Sequence, residues 1–200
     1  EVAYFDHEDN LRLQEELVRY VVQRILEKRQ PELKELERDT VTLEKLLAVP
    51  FARITYDEAI KLLQGQGMEI EWGDDFGAPD EEAISKHFGK PVFIEYFPAK
   101  MKAFYMEPHS ENPELVKAAD LIAPEGYGEI IGGSERIHNK DVLLERLTQH
   151  GLNPETYQWY IDLRKYGSVP HAGFGLGIER FVAWMSGVKH IRECIPFPRQ

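Results

Sequence analysis

The sequence predicts an α+β fold in which a mainly antiparallel sheet is flanked by helices. Consecutive strand-like segments are joined by short connections, which favours antiparallel pairing of neighbours. Segments with helical spacing of apolar residues lie before and after those strands. No internal repeat, low-complexity tract or linker divides the 200 residues, so we expect one continuous unit over residues 1–200.

Composition limits the classes of function. The chain has 24 lysines and arginines against 35 aspartates and glutamates, a formal net charge of −11. Such a chain is a poor general nucleic-acid binder, because affinity there comes mainly from neutralised phosphates. The single cysteine, Cys194, excludes an internal disulfide framework and favours a reducing compartment, most simply the cytoplasm. No apolar run approaches the roughly 20 residues of a membrane helix.

The first half of the chain is predicted to be mainly helical. Residues 1–5 have the composition of a strand, and acidic residues after them supply N-cap and first-turn chemistry for a long helix. Charged residues with leucine anchors over 31–48 predict short surface helices, and glycines close a helix that begins at Thr55 or Tyr56. The predicted helices span 9–29, short pieces within 31–48, 56–64 and 80–88.

The second half is richer in strands. β-branched and aromatic runs predict strands, and Asn139 and Pro154 each open a helix. The predicted strands span 91–97, 103–106, 116–122, 128–136 and 171–179. The predicted helices span 139–150, 154–165 and 180–186.

The segment from His171 to Arg180 is the most informative part of the sequence. Its period-two alternation directs one set of residues into the core: Phe174, Leu176 and Ile178. The opposite face is bare backbone at Gly173, Gly175 and Gly177. Because glycine weakens a strand, three on one face indicate close approach, either of a flat ligand or of another backbone. Arg180 could stack on a base and donate to phosphate, or form a surface ion pair.

A second segment carries paired carboxylates. A strand, a turn and a strand should bring Asp120 and Glu129 close together. Two such carboxylates can hold Mg²⁺, which favours hard oxygen ligands and bridges to nucleotide phosphates. The alternative is a hairpin whose charged residues are solvated.

Arg136 is suited to binding a carboxylate or an amide oxygen. It lies seven residues after Glu129, so strict alternation would put the two side chains on opposite faces of the strand. If both serve one site, a bulge at Gly132-Gly133 must shift the register.

These segments together resemble the asparaginyl-tRNA synthetases, in the aspartyl/asparaginyl group of class II. The matching segments are EVAY (1–4), KAFYM (102–106), APEGYGEIIGGSER (123–136), RKYGSVPH (164–171), GFGLGIER (173–180) and IPFPR (195–199). The resemblance covers essentially the whole chain, in order. Asparaginyl is favoured over aspartyl because the Asp120–Glu129 connection has the longer APEGYGE form, and because KAFYM replaces an RPFY-type sequence.

The resemblance implies a fold, an activity and partners. The fold is an antiparallel sheet with flanking helices, in a cytoplasmic homodimer without membrane association, preceded by an anticodon-binding OB-fold domain. The activity is the activation of asparagine by ATP, with Mg²⁺, to asparaginyl-adenylate, followed by transfer to tRNA(Asn). The expected cofactors are therefore ATP and Mg²⁺, and the expected partners are asparagine, ATP and tRNA(Asn).

The resemblance also implies residue roles. The implied catalytic residues are Arg180, Glu129 and Arg136. The implied ATP-binding residues are Glu129, Ile130, Gly177, Ile178, Glu179 and Arg180. The asparagine side chain is expected at Arg136 and Glu1, and the metal at Asp120 and Glu129.

The resemblance places Glu1 at the end of motif 2. Residues 1–200 are therefore expected to be the C-terminal part of the catalytic domain, without motif 1, the motif 2 arginine or the anticodon domain. We expect the chain by itself to be a poor catalyst, with tRNA contacts mostly in other segments. Two alternatives remain open: a synthetase-derived paralogue that amidates aspartate, and a non-catalytic nucleotide-binding regulatory module.

Overall fold

The computed structural model describes residues 1–199, which form a six-stranded sheet with helices on both faces. The strand order is β1-β6-β5-β4-β3-β2. The strands are β1 (Val2–Ala3), β2 (Ala52–Thr55), β3 (Val92–Glu95), β4 (Ala118–Ala123), β5 (Gly128–Arg136) and β6 (His171–Leu176). All neighbours pair antiparallel except β2 and β3, which are parallel. The predicted α+β class with a mainly antiparallel sheet is confirmed.

The helices begin where capping residues predict. Asp6 and Thr55 each form a reciprocal capping box with the residue three positions later, and the Asn139 side chain accepts two backbone N–H groups. The helices are α1 (His7–Lys28), α2 (Gln30–Glu35), α3 (Thr40–Ala48), α4 (Tyr56–Gly65), α5 (Ala78–Phe88), α6 (Lys140–Gln149), α7 (Gln158–Lys165) and α8 (Ile178–Ser186). Short 3₁₀ turns span Pro154–Tyr157 and Ile191–Cys194. None of the helices in the described part is long and apolar enough to cross a bilayer.

Two predicted elements differ from the structure, and the structure contains one strand that was not predicted. Residues 103–106 form turns with one isolated bridge at Met106, because Phe104 and Tyr105 both pack against Tyr160 instead of alternating across a strand. Strand β2, which the sequence did not predict, is four residues long and pairs with β3. Strand β6 ends at Leu176, not at 179, because the next residue begins the cap of α8.

The sheet separates two apolar layers. On one face α1, α3 and α8 cover Phe93, Leu121 and Ile131, and on the other α4 and α5 cover Ile94 and Ile122. Helix α3 is more than the surface element that was predicted, since its leucines 43 and 46 are buried in the first layer. The third, smaller cluster lies under α6 and α7.

A buried carboxylate at the end of β3 ties the first helix to the sheet. Glu95 is 4% exposed, its Oε2 lies 2.9 Å from His7 Nε2, and its Oε1 accepts from Arg53 Nε at 2.7 Å. Burial opposes ionisation of Glu95, but the hydrogen bonds from His7 and Arg53 outweigh it and hold the pKa of Glu95 below its ordinary value. The ionised form therefore stabilises the fold.

We expect Glu95→Gln to lower the free energy of unfolding by about 2 kcal/mol at pH 7, because charge-assisted hydrogen bonds are lost. The pKa of Glu95 is lower in the folded state than the unfolded value of about 4.3, so its contribution is present above that pH. It is lost as the pH falls through the folded pKa. Denaturant titrations at pH 7 and pH 3 should show the difference between wild type and variant shrinking.

The matched control for this prediction is Glu16→Gln, a substitution at an exposed position of α1. It should leave stability within about 0.5 kcal/mol of wild type at both pH values. A Glu95→Gln deficit that stays constant from pH 7 to pH 3 would contradict the linkage.

Candidate active site

Strand β5 carries a bulge at Ile130. Ile122 pairs with Glu129 and Leu121 with Ile131, so Ile130 is the extra residue. The predicted position at Gly132-Gly133 is therefore wrong, although a register shift does occur. Ile130 and Ile131 are both buried in the same apolar layer, which strict alternation would forbid. The pair of adjacent isoleucines was the signal in the sequence.

The bulge turns Glu129 to the sheet face that also carries Asp120. A Cβ added at Gly132 would lie 2.7 Å from Glu129 Oε1 and 3.5 Å from Asp120 Oδ1, so both carboxylates converge over this glycine. The Lys102 ammonium forms an ion pair with Asp120 and lies 3.8 Å from the centroid of the Phe97 ring. The prediction that Asp120 and Glu129 are close is confirmed.

Three carboxyl groups at this end of the site have raised pKa values: those of Glu129, Asp120 and Glu81. Burial and the neighbouring Asp120 charge raise the pKa of Glu129 to about 7. Burial also raises the pKa of Asp120, against the opposing effect of Lys102, and raises the pKa of Glu81. A cation placed beside these carboxyls would favour their ionised forms and so oppose the effect of burial.

Both backbone groups of Glu129 are held by side chains from other elements. Its N–H donates to Glu81 Oε2 at 3.2 Å, and its carbonyl accepts from Arg180 Nη1 at 2.6 Å. Glu81 comes from α5 and Arg180 from the first turn of α8. Sequence analysis did not identify Glu81, because nothing in the local pattern of α5 distinguishes it from its acidic neighbours.

The glycines of β6 form part of a bare backbone floor. Gly175 pairs with Gly132 of β5, and a Cβ added at Gly175 would meet no atom within 4 Å. Gly173 faces the Glu1 carboxylate, which a Cβ there would displace. Gly177 does not extend the strand: it is the N-cap of α8, and its N–H donates to the Ile130 carbonyl at 2.9 Å.

Arg136 lies at the other end of this floor. Its guanidinium donates to Glu1 Oε1 at 3.0 Å and to Ser134 Oγ at 2.7 Å, and lies 5.2 Å from the centroid of the Tyr105 ring. The adjoining cavity has a volume of about 560 Å³. Aromatic side chains from α7 and the 3₁₀ turn before it line the cavity: Tyr157, Trp159 and Tyr160.

Three residues of the expected nucleotide surface have positions that the alternating strand did not predict. The side chain of Ile130 is 2% exposed in the core, so only its backbone faces the site. Ile178 is 67% exposed in the first turn of α8, which corrects the expectation that it enters the core. Glu179 is exposed beside it. Their binding roles remain predictions.

The described side chains do not by themselves complete a metal centre. Among residues 1–199, no three histidines, cysteines, aspartates or glutamates are arranged to hold a metal ion. A cation between Asp120 and Glu129 would therefore need further oxygen ligands, such as phosphate or water. At one end the site thus offers carboxylates and Arg180, and at the other end Arg136 with Glu1.

Comparisons with known proteins agree on one family. The model for tRNA synthetases class II (D, K and N) matches residues 1–200. The asparagine–tRNA ligase of Symbiobacterium thermophilum is 60% identical over all of this chain, which covers 47% of that protein. The chain therefore spans about half the length of this curated relative.

Solved structures give the same result. Asparaginyl-tRNA synthetase from Pyrococcus horikoshii matches 100% of the chain, with 47% of its own length covered, a TM-score of 0.95 and 49% identity. Its complex with asparaginyl-adenylate matches 99% of the chain over 45% of its own, with a TM-score of 0.94 and 49% identity. Because the family model extends over every residue, the chain belongs to the class II tRNA synthetases of the D, K and N group.

Proposed function

We propose that this chain is part of an asparagine–tRNA ligase, which activates asparagine with ATP and transfers it to tRNA(Asn). The observation that carries the proposal is that one face of the sheet has two groups of charged residues. One end has carboxylates and an arginine, and the other end has a second arginine. Glu129, Asp120 and Arg180 lie at the nucleotide end, and Arg136 lies beyond the paired glycines 132 and 175. The similarity to a structure that holds asparaginyl-adenylate supports it.

In this proposal the ATP site lies between β5 and the start of α8. Arg180 is exposed, and while its Nη1 donates to the Glu129 carbonyl, the planar guanidinium can still stack on adenine and donate to phosphate oxygens with its other N–H groups. Gly177, Ile178 and Glu179 surround it in the first turn, and Ile130 contributes backbone only. The base thus rests on exposed side-chain and backbone surface next to Glu129.

The residues present fit Mg²⁺. Asp120 and Glu129 offer hard carboxylate oxygens over one glycine. Burial raises the pKa of both carboxyls, and a bound cation would favour their ionised forms. Together with phosphate oxygens these two residues would hold the cation, which when bound supplies charge neutralisation to the polyphosphate. The neighbouring Lys102 is the protein's own positive charge at Asp120.

The chemistry of activation needs positioning more than covalent participation by the protein. The asparagine carboxylate attacks the α-phosphorus of ATP in line, the bond to the β,γ-pyrophosphate breaks, and asparaginyl-adenylate forms. The glycine floor lets the reacting groups approach the sheet closely, while Arg136 fixes the amino-acid side chain at one end. The hydroxyl of the terminal adenosine of tRNA then attacks the carbonyl carbon of the adenylate, the acyl–phosphate bond breaks, and AMP leaves as the aminoacyl ester forms.

Selection of asparagine over aspartate must depend on more than Arg136. This arginine can donate to an amide oxygen, but it suits a carboxylate as well or better. Glu1, whose carboxylate already lies 3.0 Å from Arg136 Nη2, can accept from the amide nitrogen of asparagine and repel the second carboxylate of aspartate. We therefore assign discrimination to the Glu1–Arg136 pair.

The wider architecture belongs to the same proposal. Residues 1–200 cover 47% of the similar ligase, and we propose that they form the C-terminal part of its type of catalytic domain. We propose a homodimer for the intact protein, with most tRNA contacts elsewhere in it. A cytoplasmic location is supported by the single cysteine, Cys194.

The central test is asparagine-dependent ATP–pyrophosphate exchange by the gene product that carries residues 1–200. We expect exchange with asparagine, and kcat/KM for aspartate lower by about 100-fold or more, because polar mispairing is costly. ATP-dependent formation of free asparagine from aspartate would instead support the amidating paralogue. Nucleotide binding without exchange would support a regulatory module and overturn the proposal.

Substitution of Arg136 tests the amino-acid end of the site. We expect Arg136→Gln to lower kcat/KM for asparagine by about 100-fold, since a charge-assisted donor is lost, with KM for ATP within about twofold. The control is Arg24→Gln, which removes a partly exposed arginine of α1 that forms an ion pair with Glu27, one turn along the same helix. If Arg136→Gln impairs the kinetics for asparagine and for ATP to the same extent, the arginine has a structural role.

Substitution of Arg180 tests the nucleotide end. Arg180→Ala should raise KM for ATP by about tenfold or more, because stacking and phosphate contacts are lost together. Calorimetric titration with ATP and Mg²⁺ measures the binding loss directly. Arg192→Ala, at an exposed position in the following 3₁₀ turn, should leave ATP binding unchanged. Unaltered ATP affinity in Arg180→Ala would place the nucleotide elsewhere.

A further inference from the structure

The strand segment that carries Glu129 is irregular, yet its direction decides whether the carboxylate faces Asp120. The bulge at the next residue, Ile130, leaves the local ladder incomplete. A bulged backbone does not by itself fix the orientation of the peptide before it. Although Glu129 pairs with Ile122 in the ladder, its orientation therefore depends also on contacts from outside the ladder.

Glu81 provides one of these contacts. Its Oε2 accepts the Glu129 N–H at 3.2 Å from α5, 48 positions earlier in the chain. Arg180 Nη1 donates to the carbonyl of the same residue at 2.6 Å. The two peptide groups that flank the Glu129 Cα are thus held by two different helices.

Gly128 makes this contact possible. Its φ of +71° lies in the region that glycine favours, and a Cβ at this position would overlap the Glu81 carboxylate. The carboxylate therefore rests directly against the backbone of the turn that enters β5. The close approach is specific to this acidic residue of α5, because the adjacent Glu82 is exposed and pairs with Lys86.

We infer that Glu81 is a positioning residue, which fixes the Glu129 peptide so that its carboxylate faces Asp120. The inference rests on the proposed function of Glu129 in nucleotide and cation binding. In this role Glu81 accepts the hydrogen bond from the Glu129 N–H with its Oε2 and does not act as a third metal ligand.

Two conservative variants separate the acceptor from the charge. Glu81→Gln keeps an oxygen of the same reach but removes the charge, so it should retain kcat for asparagine-dependent exchange within about threefold. Glu81→Asp keeps the charge but shortens the side chain by one methylene, which withdraws the acceptor. It should lower kcat by about 20-fold, with KM for asparagine within about twofold.

Glu82→Gln and Glu82→Asp are the matched controls on the same helix, and both should behave as wild type. Glu81→Leu removes acceptor and charge together and should match Glu81→Asp. If Glu81→Gln is as impaired as Glu81→Leu, the charge matters and the inference is wrong. Wild-type kinetics in Glu81→Asp would also overturn it.

A second measurement does not depend on activity. Hydrogen exchange at the Glu129 amide should accelerate by about tenfold in Glu81→Asp and stay near wild type in Glu81→Gln. Unchanged amide protection in Glu81→Asp would exclude the contact. If the wild-type protein lacks asparagine-dependent exchange, the proposed function fails, whereas the amide measurement still decides whether Glu81 holds Glu129.

Discussion

The geometry of the site depends on the burial of two consecutive isoleucines in β5. Ile130 and Ile131 both enter the apolar layer under α1, and the strand accommodates them only with a bulge. Burial of an isoleucine side chain contributes about 1.5–3 kcal/mol, whereas one disturbed ladder hydrogen bond costs about 0.5–1.5 kcal/mol. Apolar packing therefore wins. The consequence is a shared face for Glu129 and Arg136, so core packing on one side of the sheet creates the site on the other.

The same bulge concentrates negative charge where a nucleotide would add more. Asp120 and Glu129 lie close together and are half-buried, and burial, together with the neighbouring Asp120 charge, raises the pKa of Glu129 to about 7. Lys102 offsets part of this charge at Asp120. A metal site formed by protein side chains alone has further ligands, such as histidines or more carboxylates. The arrangement instead suits a cation that phosphate oxygens help to hold.

Sequence analysis found those features that local pattern determines. The bounds of β5, the caps at Asp6 and Asn139, and the proximity of Asp120 to Glu129 follow from alternation and capping chemistry. The alternation pattern required a bulge, but we predicted it at Gly132-Gly133 because glycine is common at bulges. The adjacent isoleucines 130 and 131, which are both buried on one face, mark its actual position. Glu81 was missed for another reason: its contact with Glu129 is set by how α5 packs on the sheet, which no local pattern encodes.

In the proposed function, Arg136 alone cannot explain selectivity for asparagine over aspartate. Arg136 is fixed before any ligand binds by Glu1, Ser134 and the ring of Tyr105, so little ordering entropy remains to oppose binding. A carboxylate ligand would gain that arginine but meet the Glu1 charge. An amide presents an oxygen to Arg136 and an N–H to Glu1, so it satisfies both. In the proposed function, discrimination then comes from the pairing of opposite charges in the protein. The bare glycine of β6 at position 173 leaves the space in which Glu1 lies.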